Sequence, residues 1–149
     1  MTQTESVRII PNPLTGEDAA KPMLAYVVAT QRPDGGVAQN GFPDGRPYWT
    51  GVQLDEVGFP ILLAAKLEEY AVLDGLGGVA AMIHRAAGYL ARNGPISPQD
   101  RWEENPGISP FTLGIEIVAL VAAADYLPEE DGRYALSLAD DRNERLGDW

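Results

Sequence analysis

The chain has no cysteine, one histidine and few basic residues, and each shortage removes a class of function. Without cysteine there are no disulfides and no thiolate metal sites. His84 alone supports neither a multi-histidine metal centre nor histidine-based acid–base chemistry, and no cofactor is expected. Eleven Lys and Arg stand against twenty-two Asp and Glu, for a net charge of −11. A surface of that sign repels phosphate backbones and anionic membranes, so no nucleic-acid or membrane partner is expected. A neutral ligand such as a sugar feels little of this field. No uncharged apolar run reaches the ~20 residues of a membrane span. "MTQTESVRIIPNP" lacks the basic and apolar regions of a secretory signal, so a soluble, cytoplasmic protein is expected.

What is present is a folded composition: 149 residues, 45% hydrophobic and 22% charged. Residues 17–31 place Ala20, Met23, Leu24, Val27 and Gln31 at helical spacing, with Pro22 expected in a first turn. "RPDGGVAQNGFPDGRPYW" then reads as a long ordered loop of successive turns, not a phosphate loop. Thr50 and Gln53 have capping-box spacing, and Asp55 and Glu56 suit a helix start. Val57 to Ala65 is apolar almost all round, with Pro60 expected to kink the helix. Val79, Met82, Ile83, Ala86 and Leu90 form a one-sided stripe, leaving His84 on the surface.

Ser109 and Pro110 match an N-cap and first helical position, ahead of the nearly all-apolar "FTLGIEIVALVAAADYL". Glu116 in that segment requires a partner, expected to be a structural ion pair. The tail from residue 128 is a more polar helix candidate. Four to five helices alternate between apolar all round and apolar on one side. That alternation predicts an all-α fold with two concentric layers, as in part of a toroidal α/α barrel. A helical bundle is the alternative. The loops of about fifteen residues favour the barrel, because loops of that length in compact domains usually carry function.

Two loops carry the candidate chemistry. "RPYWTGVQLDE" holds Tyr48, Trp49, Gln53 and Asp55, and "QDRWEE" holds Asp100, Arg101, Trp102, Glu103 and Glu104. Aromatic rings stack on pyranose C–H faces, and carboxylates and amides bind the hydroxyls. A glycosidase needs one carboxyl kept protonated for the leaving oxygen. An adjacent indole and a neighbouring carboxylate both raise a carboxyl's pKa, and Trp102, Glu103 and Glu104 supply both within three residues. The plain alternative is a solvated loop, a first-turn charge at Asp55, a capping role at Gln53 and core packing for Tyr48 and Trp49. Asp100 reads as structural, in a short turn capped by Ser97.

"ATQRPDGGVAQN", "DGRPYWTGVQLDEVGFPILLA", "RNGPISPQDRWEEN" and "SPFTLGIEIVALVAAAD", in that order and spacing, resemble the bacterial glucoamylases and glucodextranases of glycoside hydrolase family 15. The resemblance covers about residues 17–126, continues plausibly to Trp149 and leaves 1–16 poorly matched. It implies an (α/α)6 barrel and inverting hydrolysis of α-glucosidic bonds, with glucose released from chain ends of an α-glucan or maltooligosaccharide. In the family's "WEE" block the first Glu is the general acid, here Glu103. The second contacts substrate, here Glu104, with Trp102, the Arg101 carbonyl, Trp49 and Tyr48 shaping the pocket; Gln53 and Asp55 occupy the matching helix start.

Two expected pieces have no counterpart. The family's Trp-x-Arg-Asp segment, which grips the terminal glucose, has no match in residues 1–16, and no residue matches the catalytic base. A twelve-helix barrel at about 11–12 residues per helix plus loops needs over ~300 residues. The expectation is therefore a single partial domain over 1–149, from the first half of the barrel, inactive alone. A sugar-binding or assembly piece completed by a companion segment is the alternative, and a cyclase or lyase on the same barrel a third.

Overall fold

A computed structural model describes residues 16–99 and 105–148, with side chains from residue 19 onward. Five helices run α1 Gly16–Thr30, α2 Leu54–Glu69, α3 Val79–Asn93, α4 Pro110–Ala123 and α5 Glu129–Arg145. A 3-10 turn at Ala124–Tyr126 joins the last two. Between α1 and α2 lies a small antiparallel hairpin of β1 Asn40–Gly41 and β2 Pro47–Trp49, two short strands in a stretch the sequence marks only as turns.

α2 and α4 pack against each other more extensively than any other pair. At Gly58 an added Cβ would fall 2.7 Å from Ile115 Cγ2 and 3.3 Å from Ala119 Cβ, so this glycine sets their close approach. α1, α3 and α5 cover the outside of this pair. The arrangement is the expected two-layer, partial α/α barrel. All five stripe residues of α3 are buried. Leu24, Leu54, Val57, Ile61, Met82, Ile83, Leu90 and Leu120 are fully buried and bring every long helix but α5 into one core. α5 joins through Gly132, Ala135, Ala139 and Arg142. Its three acids in the first turn and two arginines in the last complement the helix dipole.

Local expectations fail in three places. Pro22 is the seventh residue of α1, not in its first turn; tertiary packing of Leu24 and its neighbours outweighs the lost backbone bond. Thr50 does not cap α2: the helix starts at Leu54, after an extended Gln53 that makes no side-chain cap bond. The orphan Leu54 N–H is instead satisfied by Ser97 Oγ at 3.2 Å, from a loop 43 residues away. The inner helices are also not buried all round. Phe59, Phe111, Val118 and Val121 are 41–48% exposed, whereas Ile61 and Leu120 are fully buried. Ser109 and Pro110 do begin α4 as expected, although the serine side chain makes no cap bond.

The long loop is ordered by its own polar groups. Asp34 Oδ1 accepts the Gly36 N–H at 2.9 Å, and Gln31 joins Met82 O and Arg85 Nε across to α3. Gly35 has φ +97°, and a Cβ there would lie 2.0 Å from Arg85 O, so no other residue fits unstrained.

Candidate functional site

The site is built where two loops meet above the N-terminal ends of α2 and α4. Ser97 and Gly107 form a bridge with both N–H···O distances 3.0 Å, which closes the connection between α3 and α4 into a tied loop. Ser97 is buried; its hydroxyl donates to Gln99 O at 2.6 Å while accepting from Leu54 N. One serine therefore anchors the tied loop to the start of α2. Trp49 comes from the other side: its indole N–H donates to Gln99 Oε1 at 3.3 Å, and the ring is 42% exposed. The loops before the two inner helices thus emerge at the same rim.

Residues in adjacent positions of a strand face opposite ways. Tyr48, 70% exposed, packs edge-on against Phe42 with centroids 5.5 Å apart, within the hairpin and away from Gln99. Gln53 and Asp55, at the head of α2, are both only 3% exposed. Arg101, Trp102, Glu103 and Glu104, with Asp100, lie outside the described residues; what is described is the framework that delimits their loop.

Below the rim, α1, α2 and the hairpin enclose a mostly apolar groove of about 840 Å³ lined by residues including Tyr26, Trp49, Glu56, Phe59 and Leu63. Glu56 is half-buried there; burial, and then the charge of Asp55, raise its carboxyl above the usual range. Sequence reasoning assigned Glu56 only to the helix start, though a doubled acid ahead of an apolar run was a usable signal. Gln99 was missed altogether, because nothing local marks a glutamine as the partner of an indole 50 positions away.

Glu116 has the expected structural partner, with Arg142 Nη1 2.7 Å from its Oε2, both side chains essentially inaccessible. His84 is exposed and faces Asp131 at 3.4 Å. No cluster of three metal-capable side chains occurs among the described residues, and no described helix is long and apolar enough to cross a membrane.

Comparison with known proteins places this framework in context. The model of glycosyl hydrolases family 15 matches residues 30–144. A glucoamylase of Clostridium sp. (strain G0005) is 35% identical over 132 residues, which are 89% of this chain and 18% of the relative. The crystal structure of a bacterial glucoamylase complexed with acarbose superposes with a TM-score of 0.68 at 33% identity, covering 81% of this chain and 18% of that one. This chain spans less than a fifth of either relative's length.

Proposed function

Because the chain belongs to glycosyl hydrolases family 15, we propose that it is a segment of an inverting, exo-acting α-glucosidase that holds the acid half of the site and lacks the catalytic base. Glu103 protonates the glycosidic oxygen as an oxocarbenium-like centre forms at the sugar. Glu104, Trp102, the Arg101 carbonyl and Trp49 hold the terminal glucose, with Tyr48, Gln53 and Asp55 supporting the loop and helix start. An inverting reaction also needs a second carboxylate roughly 6.5–9.5 Å away to activate water on the opposite face. No residue of this chain is assigned that role.

The observation that supports this reading is the shared rim. The Trp49–Gln99 and Leu54–Ser97 bonds bring the loop preceding Glu103 against the loop holding Trp49. Acarbose, the ligand named with the solved relative, is the natural probe of this half-site. The test is glucose release from maltotriose by the purified chain. None above background is expected, since proton donation alone supplies only about 10²–10⁴-fold. Turnover that Glu103→Gln abolishes would overturn the missing base.

A second reading is that the chain is a sugar-binding or assembly piece completed by a companion segment bearing the remaining helices. The exposed Phe59, Phe111, Val118 and Val121 favour it, because an apolar face on inner helices calls for a covering element. Co-expression with the remaining barrel of a family member would yield a stable complex on this reading. Independent purification of the two pieces would exclude it.

A further inference from the structure

The interior beneath the rim contains an imbalance of charge. Two acids and one base meet there: Asp55 from α2, Glu116 from α4 and Arg142 from α5, each at most 3% exposed. Arg142 Nη1 binds Glu116 Oε2 at 2.7 Å, and Nη2 donates to Leu90 O in the last turn of α3 at 2.9 Å. Gly94 lies directly against the pair: a Cβ there would fall 2.1 Å from Glu116 Oε2 and 2.7 Å from Arg142 Nη2. The pair therefore ties α3, α4 and α5 together at the point where the loop toward Ser97 departs.

One oxygen of each acid remains unmatched. Glu116 Oε1 and Asp55 Oδ1 are buried without a hydrogen-bond partner among the described residues, as are the Thr112 hydroxyl and Arg142 Nε. The contact of Gly58 with Ile115 and Ala119 aligns the two helices, so Asp55, nearly one turn before Gly58, is level with the Thr112–Glu116 turn. The charge of Asp55 is felt at Glu116. Two carboxylates and one guanidinium leave an excess negative charge in a buried junction. One proton removes it.

We propose that Glu116 carries a proton on Oε1 in mildly acidic solution, directed to the Asp55 side of the α2–α4 contact, and that this carboxyl is a pH-sensitive latch beneath the Ser97–Gln99 anchor at the head of α2. Release is a simple ionisation, the proton passing from Oε1 to solvent and leaving a carboxylate. The ionised form repels Asp55, opens the α2–α4 contact to water and loosens the seat of Ser97 and Gln99. The charged and titratable groups around it are Asp55 on α2 and Arg142 on α5, the latter also influenced by Tyr134 and Asp141. Among the described residues, α3 and the loop contribute only the Leu90 carbonyl and the Gly94 backbone. In support, burial raises the Glu116 carboxyl from 4.5 to about 7, Arg142 opposing and Asp55 adding to the shift.

The sign follows directly. A carboxyl raised on folding binds more protons in the native state between pH 4.5 and about 7. Stability is then full below that window and falls as pH rises through it, by up to about tenfold in the folding constant per pH unit. The experiment is ¹H–¹⁵N NMR of the full chain in a His84→Asn background, so that no imidazole contributes, together with ¹³C detection of glutamate side-chain carboxyls. The Leu54 amide and Trp49 indole signals, and one carboxyl carbon, are expected to move together with a midpoint near 7.

Glu116→Gln removes that midpoint if the variant folds. Asp55→Asn, a milder change, lowers it. A carboxyl carbon assigned to Glu116 that titrates below about pH 5, where ordinary glutamates do, overturns the proposal. So does a midpoint that survives Glu116→Gln or is unmoved by Asp55→Asn.

Discussion

On α4, Glu116 is completely buried while Val118, two residues later, is 48% exposed; on α2, Asp55 is buried while Phe59, one turn later, is 41% exposed. The same two helices carry charge inward and hydrocarbon outward. In an ordinary small domain that would be the wrong way round. Here the two regions answer different demands. Of the inward acids, Glu116 is held by Arg142 in a packed junction of three helices, and Asp55 is buried beside them at the head of α2. The outward face of Phe59, Phe111, Val118 and Val121 remains 41–48% exposed, and Phe59 and Phe111 lie against each other with ring centroids 6.3 Å apart. Burial at a position thus follows from which neighbours the fold brings there, not from the residue's own polarity.

The sharpest way to break the comparison is to remove the positive member of the junction. Arg142→Leu leaves Glu116 buried without its partner, and a loss of about 3–5 kcal/mol is expected, read as the shift in a urea unfolding curve at pH 8. The loss should shrink at pH 5, where a protonated Glu116 no longer demands a cation; an equal loss at both pH values would contradict the protonation argument.

Two neighbouring residues of α4 test the apolar side. Leu120→Ala opens a cavity in the core and should cost about 2–5 kcal/mol by the same measurement. Ser97 provides an intermediate case. Ser97→Ala deprives the Leu54 N–H of its acceptor and frees the tied loop, with an expected cost of about 0.5–2 kcal/mol and weaker protection of the Leu54 amide in hydrogen exchange. The smallest effect belongs to Val121→Ala, adjacent to Leu120 yet on the open face, where the expected change is within about 0.5 kcal/mol. That variant should instead reduce concentration-dependent association in sedimentation velocity. A cost comparable with Leu120→Ala would show that the face is covered after all.

Much of the fold was legible because it depends on local pattern. The stripe from Val79 to Leu90, the start of α4 at Ser109–Pro110 and the need of Glu116 for a partner all follow from spacing and from the cost of burying a lone charge. The Thr50 capping box misled for an equally physical reason. Its side chain competes with any other acceptor for the orphan N–H groups at the head of α2, and Ser97, brought in by the bridge to Gly107, takes Leu54. The hairpin was invisible because two strands of two and three residues have no periodicity to read.

In the site, the rim residue Trp49 was found from residue type, whereas its partner Gln99 was not, because a hydrogen bond across 50 positions leaves no mark on either sequence segment. The sequence by itself determined the helical layers, the absence of thiolate chemistry and the loops in which acids and indoles lie together. Each of these depends on residue identity and on spacing within a turn or two of helix. Only the tertiary structure decided that Arg142 is the partner of Glu116, that Asp55 is buried at the head of α2, and that α2 and α4 keep an open apolar face among the described residues. Those outcomes depend on which distant segments share a boundary, where the cost of an unpaired charge or an uncovered side chain is settled by neighbours the local sequence does not name.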